Sequence, residues 1–600
     1  MNYVLSASLL DELSKRYIYV YASGRYAICK VASSLKKLKF DHYYLYGEIT
    51  EALNELATEY PSLAKLTSAG KSIEGRDIWV MEITDFGTGP PECKPAVWVD
   101  GNTHAGEPTG SMVCLKTISH LLSSYGKDPR ITELLGNTTF YILPRVDPDG
   151  GEFVLTTPYY VLSADIETGG GRWYPLSEEE WRASQHGLYL EDIDGDGSIV
   201  KMRIPDPAGE WKPMEQDKRL MVKRRPEDRE GDFYRMYPEG MILNYEGEKE
   251  IKMAPSRWGL NMGGNWPGNW GTENPGRGSG PYPLSEPETR AIADFILGHP
   301  NICVGVTYHT HGGVLFSYSE YLELPSQDRK LFEIINSVFV EQTGYPFRSS
   351  VKRRGTGGGF SSYMTVHRGI PCTTVEVWDL ISRLGMGNFM ERGGFYNTPD
   401  RLEEQELKLM AWNEKELGGK AFVEWHLFNH PQLGPIEVGG WIKKFLWRNP
   451  PVEFLEDEID RNMGFPVKLG EYLPRLSVRE ASSTDIGGNL YKVSVTLENL
   501  GAFPTYIMQQ AVEIGATKPG IITLKLGAGM NLIKGARHET FHLEGYLNKT
   551  LTGSRYERLN TRDKNMATFS WVIEAEGPGE VEVRYESPKA GRGITTLKIL

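Results

Sequence analysis

A predicted strand that ends in a turn carrying His104 and Glu107 is the feature that most constrains this chain. The apolar run 95–99 predicts a buried strand, and the residues Asp-Gly-Asn at 100–102 predict the turn that ends it. A helix is predicted to follow over residues 111–122. A histidine and a carboxylate three residues apart on such a turn can reach the same metal ion. The spacing therefore predicts two ligands of a zinc site, with a surface His–Glu pair as the alternative.

This stretch and several others resemble the zinc carboxypeptidase (M14) family of metallopeptidases. The resemblance is carried by residues 94–107, by Gly-Lys-Ser-x-x-Gly-Arg at 70–76, by Pro-Asp-Gly at 148–150 and by Ser-Glu-Pro-Glu-Thr at 285–289. It covers roughly residues 40–430. It implies an α/β fold with a mixed β-sheet flanked by helices, one zinc ion per chain, and cleavage of a peptide or amide bond.

Two later strands supply the other residues that such a site needs. The apolar run 302–308 is typical of a buried strand, and it leads into His309 and His311. The resemblance implies that His309 is the third zinc ligand and that His311 lies in the substrate pocket. Glu376 interrupts another apolar strand, where a carboxylate is costly to bury. The resemblance implies that Glu376 is the general base, and a structural role is the alternative for each of these three residues.

The chain departs from the family pattern where the substrate would be held. Family members carry Asn-Arg where this chain has Gly263 and Gly264, and that arginine binds the terminal carboxylate of the substrate through two hydrogen bonds. Arg353, in a basic stretch, is expected either to replace this contact or to lie in a solvated loop. The family also places an arginine beyond the Pro-Asp-Gly turn to stabilise the oxyanion, and Arg172 is the candidate for that role.

A long polar insertion, residues 151–257, contains a second candidate metal site. Asp192, Asp194 and Asp196 stand at alternate positions and are followed by a glycine, which is the pattern of the first half of a calcium loop. An EF-hand would place its bidentate glutamate at Arg203, so the loop is not a complete EF-hand. We expect calcium binding here, with a solvated acidic turn as the alternative.

The length of 600 residues predicts more than one domain. Residues 1–39 form a basic extension of unknown role, and residues 40–430 form the predicted catalytic domain with its insertion. Residues 431–475, which contain Gly-Pro and Pro-Pro pairs, are predicted to be a linker. Short alternating strands over residues 476–600 predict an antiparallel β-sandwich.

Charge and composition narrow the function further. A net charge of -13 argues against a nucleic-acid partner, and the five cysteines show no CxxC spacing, so no cysteine metal site is indicated. No transmembrane segment or secretory signal is evident in the sequence, and the compartment is not predicted. We expect a zinc metallocarboxypeptidase with an altered site for the substrate carboxylate. The alternatives are a zinc amidase or deacylase acting on a modified peptide or acyl-amino acid, and a non-catalytic zinc protein that binds peptides or glycans.

Overall fold

A computed structural model describes most of the chain. The described residues are 17–22, 25–30, 38–159, 172–173, 182–248, 250–254, 258–268, 270, 279–317, 323–349, 359–391, 399–546 and 564–600. The chain forms two compact units, Met1–His42 and Tyr43–Leu600. In the first unit, which includes the predicted extension, the strands Tyr17–Ala22 and Arg25–Lys30 form an antiparallel hairpin.

The larger unit is built on a mixed sheet of eight strands. From one edge to the other, these are Phe347–Arg348, Val314–Phe316, Cys372–Val377, Ile302–Thr310, Ala96–Gly101, Thr139–Leu143, Asp77–Ile83 and Ala64–Lys71. The four middle strands are mutually parallel, whereas the strands next to them on both sides pair antiparallel. The α/β fold with a mixed sheet is therefore confirmed.

Helices cover the sheet because its middle strands are apolar on both faces. All nine residues of Ile302–Thr310 are buried, as expected of a parallel strand between two helical layers. The described helices are Tyr46–Glu59, Thr109–Ser124, Pro129–Asn137, Pro148–Thr156, Pro287–Gly298, Ser326–Thr343, Phe360–Ser362, Leu380–Arg383, Pro399–Leu417, Leu455–Gly470 and Gln509–Glu513. Short 3₁₀ or π turns occur at Phe86–Thr88, Pro91–Cys93, Met262–Gly264, Tyr363–His367, Lys444–Arg448 and Val452–Phe454. None of the described helices is long and apolar enough to cross a membrane.

The insertion forms a sheet of its own that also recruits strands from later in the chain. Its six antiparallel strands are, in order, Met221–Lys223, Trp211–Pro213, Tyr234–Pro238, Lys201–Pro205, Gly434–Trp441 and Phe422–His430. Two small hairpin-like pairs join Gly187–Leu190 to Gly240–Leu243 and Arg172–Trp173 to Trp258–Leu260.

The prediction of a linker over residues 431–475 is wrong. Strand Gly434–Trp441 pairs with Lys201–Pro205 of the insertion, and helix Leu455–Gly470 buries Leu455 and Ile459 against the catalytic core. The Gly-Pro pair at 434–435 begins this strand, and the Pro-Pro pair at 450–451 comes before the turn Val452–Phe454 that leads into the helix, so neither proline interrupts an element. The helical spacing of the apolar residues after position 454 was the signal for the helix.

The C-terminal region is an antiparallel β-sandwich, as predicted. One sheet contains Leu476–Gly487, Leu490–Asn499, Met566–Ala575 and Met530–Lys534, and the other contains His538–Phe541, Gly520–Lys525, Gly579–Ser587 and Gly591–Ile599. Their inward-facing residues form one apolar core that includes Val495, Trp571 and Val583. The sandwich is tied to the central sheet, because the buried ammonium of Lys589 donates to the carbonyl of Ile302 at 2.5 Å.

Candidate metal centre and active site

Three predicted ligands meet at the carboxyl edge of the central sheet. His104 and Glu107 lie in the loop between strand Ala96–Gly101 and the following helix, and His309 lies near the end of the adjacent parallel strand. Glu107 Oε1 is 3.0 Å from His104 Nδ1, and Glu107 Oε2 is 3.0 Å from His309 Nδ1. The structure thus brings together residues that are about 200 positions apart in the sequence.

The donor set fits a zinc ion. The two Nδ1 atoms face each other at 3.2 Å, and the ligand atoms of all three residues lie within 4.8 Å of one another. Burial by itself would raise the pKa of Glu107, but the imidazoles of His104 and His309 hold that pKa well below its usual range. Two imidazole nitrogens and an ionised carboxylate are the ligands of many catalytic zinc sites.

A hydrogen-bonded chain behind His309 orients its ring. Thr307 Oγ1 donates to Asp100 Oδ1 at 2.6 Å and lies 3.3 Å from His309 Nε2. Because the Thr307 proton points to Asp100, its oxygen accepts from Nε2–H and leaves the Nδ1 lone pair for a metal. Asp100 also accepts from the indole of Trp98 at 2.6 Å, and burial raises the pKa of Asp100 to about 6. Sequence reasoning missed both Asp100 and Thr307, although each is a polar residue in an otherwise apolar strand.

The ring of His104 lies close to the backbone of Gly263. A Cβ added to Gly263 would lie 2.6 Å from His104 Nε2, which is closer than real Cβ atoms approach. The turn that carries Gly263 is fixed by Asn265, whose side-chain amide donates to the carbonyl of Ser279 at 2.9 Å and to Ser285 Oγ at 2.8 Å. Gly263, predicted only as part of an altered substrate site, therefore also makes room for the ring of His104, a predicted zinc ligand.

Glu376 lies beside His309. The two residues are directly paired in the register of the parallel strands Ile302–Thr310 and Cys372–Val377, so their side chains point to the same face of the sheet. Glu376 is half-buried in this position. A carboxylate next to a metal site at the end of a strand can accept a proton from a water molecule held there.

The remaining predicted substrate residues are only partly described. His311 follows the strand end, and its Nδ1 lies 3.3 Å from Arg448 Nη1, a residue that sequence reasoning missed because it is 137 positions away. Gly264 lies in the same turn as Gly263. The side chain of Arg172 and the whole of Arg353 lie outside the described residues.

The acidic loop of the insertion lies close to a buried glutamate, Glu239. Carboxylate oxygens of Asp192, Asp194 and Glu239 lie within 4.8 Å of one another, whereas Asp196 is not part of this group and instead accepts from the amide of Ser198. Glu239 is fully buried, which raises its pKa to about 7, and the nearby Asp194 and Asp192 add to the rise. Arg203, the position of an EF-hand glutamate, instead pairs with Glu437 at 2.9 Å.

Comparisons with known proteins identify the family that this chain resembles. A family model described as zinc carboxypeptidase matches residues 49–379, and a model for a domain of unknown function matches residues 475–598. Human Carboxypeptidase D is 36% identical over 115 residues, which cover 18% of this chain and 8% of that protein. Mouse Carboxypeptidase A2 is 26% identical over 299 residues, covering 49% and 51% of the two chains. The crystal structure of carboxypeptidase A from Helicoverpa armigera superposes with a TM-score of 0.38 at 16% identity, over 66% of this chain and 82% of that chain.

Proposed function

The chain belongs to the zinc carboxypeptidase family, and from this we propose that it is a zinc-dependent hydrolase that removes C-terminal residues from peptides. The observation that carries the proposal is the convergence of His104, Glu107 and His309 with Glu376 in register beside His309. The chain covers less than a tenth of Carboxypeptidase D and about half of Carboxypeptidase A2.

Each residue of the site has its own role in hydrolysis. Zinc bound by the three ligands would lower the pKa of water and polarise the scissile carbonyl. Glu376 takes the proton of the attacking water and passes it to the leaving amine. Thr307 keeps His309 in the tautomer that binds metal. Arg172 is proposed to stabilise the oxyanion, and Arg353 to contact the substrate.

A zinc amidase or deacylase is the second candidate, and a specific observation favours it. The family's arginine for the terminal carboxylate is replaced by Gly264, so a substrate without a free carboxylate would lose nothing at this position. A non-catalytic peptide- or glycan-binding protein is less favoured, because such a protein would have no use for a general base at Glu376.

A panel of N-acetylated dipeptides tests the function. Zinc-loaded protein is expected to cleave them, and treatment with a chelator is expected to reduce the rate to background, with recovery when zinc is returned. If only dipeptides with a free C-terminal carboxylate are cleaved, the result supports carboxypeptidase activity. Equal cleavage of C-terminally amidated dipeptides supports the amidase. If the zinc-loaded protein cleaves neither class, the hydrolase proposal fails for this class of substrate.

We also propose that the acidic loop binds calcium through Asp192, Asp194 and Glu239, with Asp196 as a further predicted ligand. Asp194 Oδ2 is buried, and the nearby His426 Nε2, at 3.0 Å, can offset only one of the three carboxylates. Three carboxylates in one partly buried cluster repel one another unless a cation or a proton is present. Oxygen ligands of this kind suit calcium.

Calcium is expected to raise the melting temperature of the protein by a few degrees, because saturation at one hundred times Kd stabilises the folded state by about 2.7 kcal/mol. Glu239→Gln is expected to abolish this rise. Glu210→Gln is the control, since Glu210 lies in the same insertion but is 76% exposed and forms an ion pair with Lys223 rather than joining the acidic cluster. An undiminished calcium shift in Glu239→Gln, measured by thermal unfolding against each variant without calcium, would refute the site.

A further inference from the structure

We infer that Asn449 is a positioning residue of the zinc site, because its side chain holds the turn that joins the ligands His104 and Glu107. The inference rests on the proposed function and deepens it, since it names a residue that controls how tightly the site binds its metal. Asn449 lies outside residues 49–379, the part of the chain that matches the zinc carboxypeptidase family. The support for the turn therefore comes from a segment beyond that match.

The two ligands are the first and fourth residues of one tight turn. The backbone amide of Glu107 donates to the carbonyl of His104 at 3.0 Å and closes the turn. The side-chain amide of Asn102 donates to the same carbonyl at 2.7 Å. The last peptide unit of the turn joins the carbonyl of Gly106 to the nitrogen of Glu107, and this unit is planar. A group that holds the Gly106 carbonyl therefore also holds the backbone of a zinc ligand.

Asn449 makes that contact. Its Nδ2 donates to the Gly106 oxygen at 2.7 Å and to the Lys444 oxygen at 3.2 Å, and its Oδ1 accepts from Thr109 Oγ1 at 2.8 Å. Both oxygens near Nδ2 belong to carbonyls, which can only accept, so the orientation of the side-chain amide is fixed. Asn449 is fully buried, and loss of its donor would leave a buried carbonyl unsatisfied at a cost in free energy.

The segment that carries this asparagine is anchored on both sides. Before it, the carbonyl of Leu446 accepts from Trp378 Nε1 at 2.8 Å, and Trp378 directly follows strand Cys372–Val377, which carries the proposed general base. After it, the carbonyl of Pro450 accepts from the buried hydroxyl of Tyr43 at 2.7 Å. The side-chain amide therefore acts from a backbone that is fixed relative to the strand of the general base.

Zinc affinity of the full-length protein, measured by competition with a chelator, tests the inference without any turnover. Asn449→Asp keeps the shape of the side chain and the contact with Thr109, but it points an oxygen instead of an amide at the Gly106 carbonyl. Two acceptors that face each other repel, so the turn is expected to shift and zinc is expected to bind roughly 10- to 100-fold more weakly. Asn449→Ala, which removes the donor without adding a charge, is expected to weaken zinc binding in the same direction.

Asn301→Asp is the matched control. Asn301 is also fully buried, and its Nδ2 donates to the carbonyls of Pro91 at 3.0 Å and Lys94 at 2.8 Å. It directly precedes strand Ile302–Thr310 and is separated from His309 by most of that strand, about 25 Å. The substitution makes the same chemical change at an equally buried amide. We expect it to lower the melting temperature and to leave zinc affinity within a few-fold of the wild type.

Zinc affinity that is unchanged in Asn449→Asp would overturn the inference. An equal loss of affinity in Asn301→Asp would also overturn it, because the effect would then reflect general destabilisation. The melting temperature without zinc shows whether each variant is folded, and Asn449→Ala decides by the same comparison if Asn449→Asp does not fold. If the Asn449 variants bind zinc weakly but the wild type hydrolyses neither class of dipeptide, the inference stands and the peptidase function fails.

Discussion

Replacement of Glu376 by glutamine is expected to lower kcat for peptide hydrolysis by roughly 10²- to 10⁴-fold, with zinc retained at one ion per chain. Glutamine has nearly the same shape as glutamate, so it preserves the pairing of strand Cys372–Val377 with Ile302–Thr310. It cannot accept a proton from water at neutral pH. Steady-state kinetics on the free-acid dipeptide, together with metal analysis of the same samples, measures both quantities.

The matched control for this prediction is Glu55→Gln. Glu55 is exposed on helix Tyr46–Glu59, and the substitution makes the same chemical change without altering the site. We expect kcat of this variant to equal that of the wild type. A Glu376→Gln variant that binds zinc and keeps kcat within tenfold of the wild type would contradict the general-base assignment.

The sequence could predict those parts of the site that depend on local chain geometry. His104 and Glu107 are placed by one turn, and the predicted strand before it, 95–99, is found as Ala96–Gly101. His309 and Glu376 each end or interrupt an apolar run, so their strands could be recognised one at a time. That the two strands are neighbours in register was not available from spacing, and the structure alone shows it.

The parts that could not be predicted depend on contacts between distant segments. Arg448 lies in a stretch whose Gly-Pro and Pro-Pro pairs predict a linker. The sequence predicts Asp100 to be a turn residue, yet it is buried as the acceptor of Thr307 on the next strand. Neither contact produces a periodic pattern in the sequence, since each is made by a single side chain with a segment that is distant in the chain.

The second large effect is expected at Gly263. A methyl group there would lie 2.6 Å from His104 Nε2 and 2.9 Å from Asn261 Oδ1. The His104 ring can yield only by moving Nδ1 relative to Glu107, which it contacts at 3.0 Å. Gly263→Ala is therefore expected to weaken zinc binding by about 10- to 100-fold and to lower kcat/KM by at least about 100-fold, since a ligand displaced by 1 Å disturbs both.

Gly264, the neighbouring residue, is the control that distinguishes this steric effect from a general sensitivity of the turn to substitution. Gly264 lies in the same turn Met262–Gly264, and neither glycine has a positive φ, so alanine strains the backbone at neither position. A Cβ at Gly264 would meet Ser279 Oγ at 3.0 Å, a hydroxyl that can rotate away. Gly264→Ala should therefore keep zinc affinity and kcat/KM within a few-fold of the wild type. Competition with a zinc chelator measures the affinities, and similar losses in the two variants would show that the turn, rather than contact with His104, controls the site.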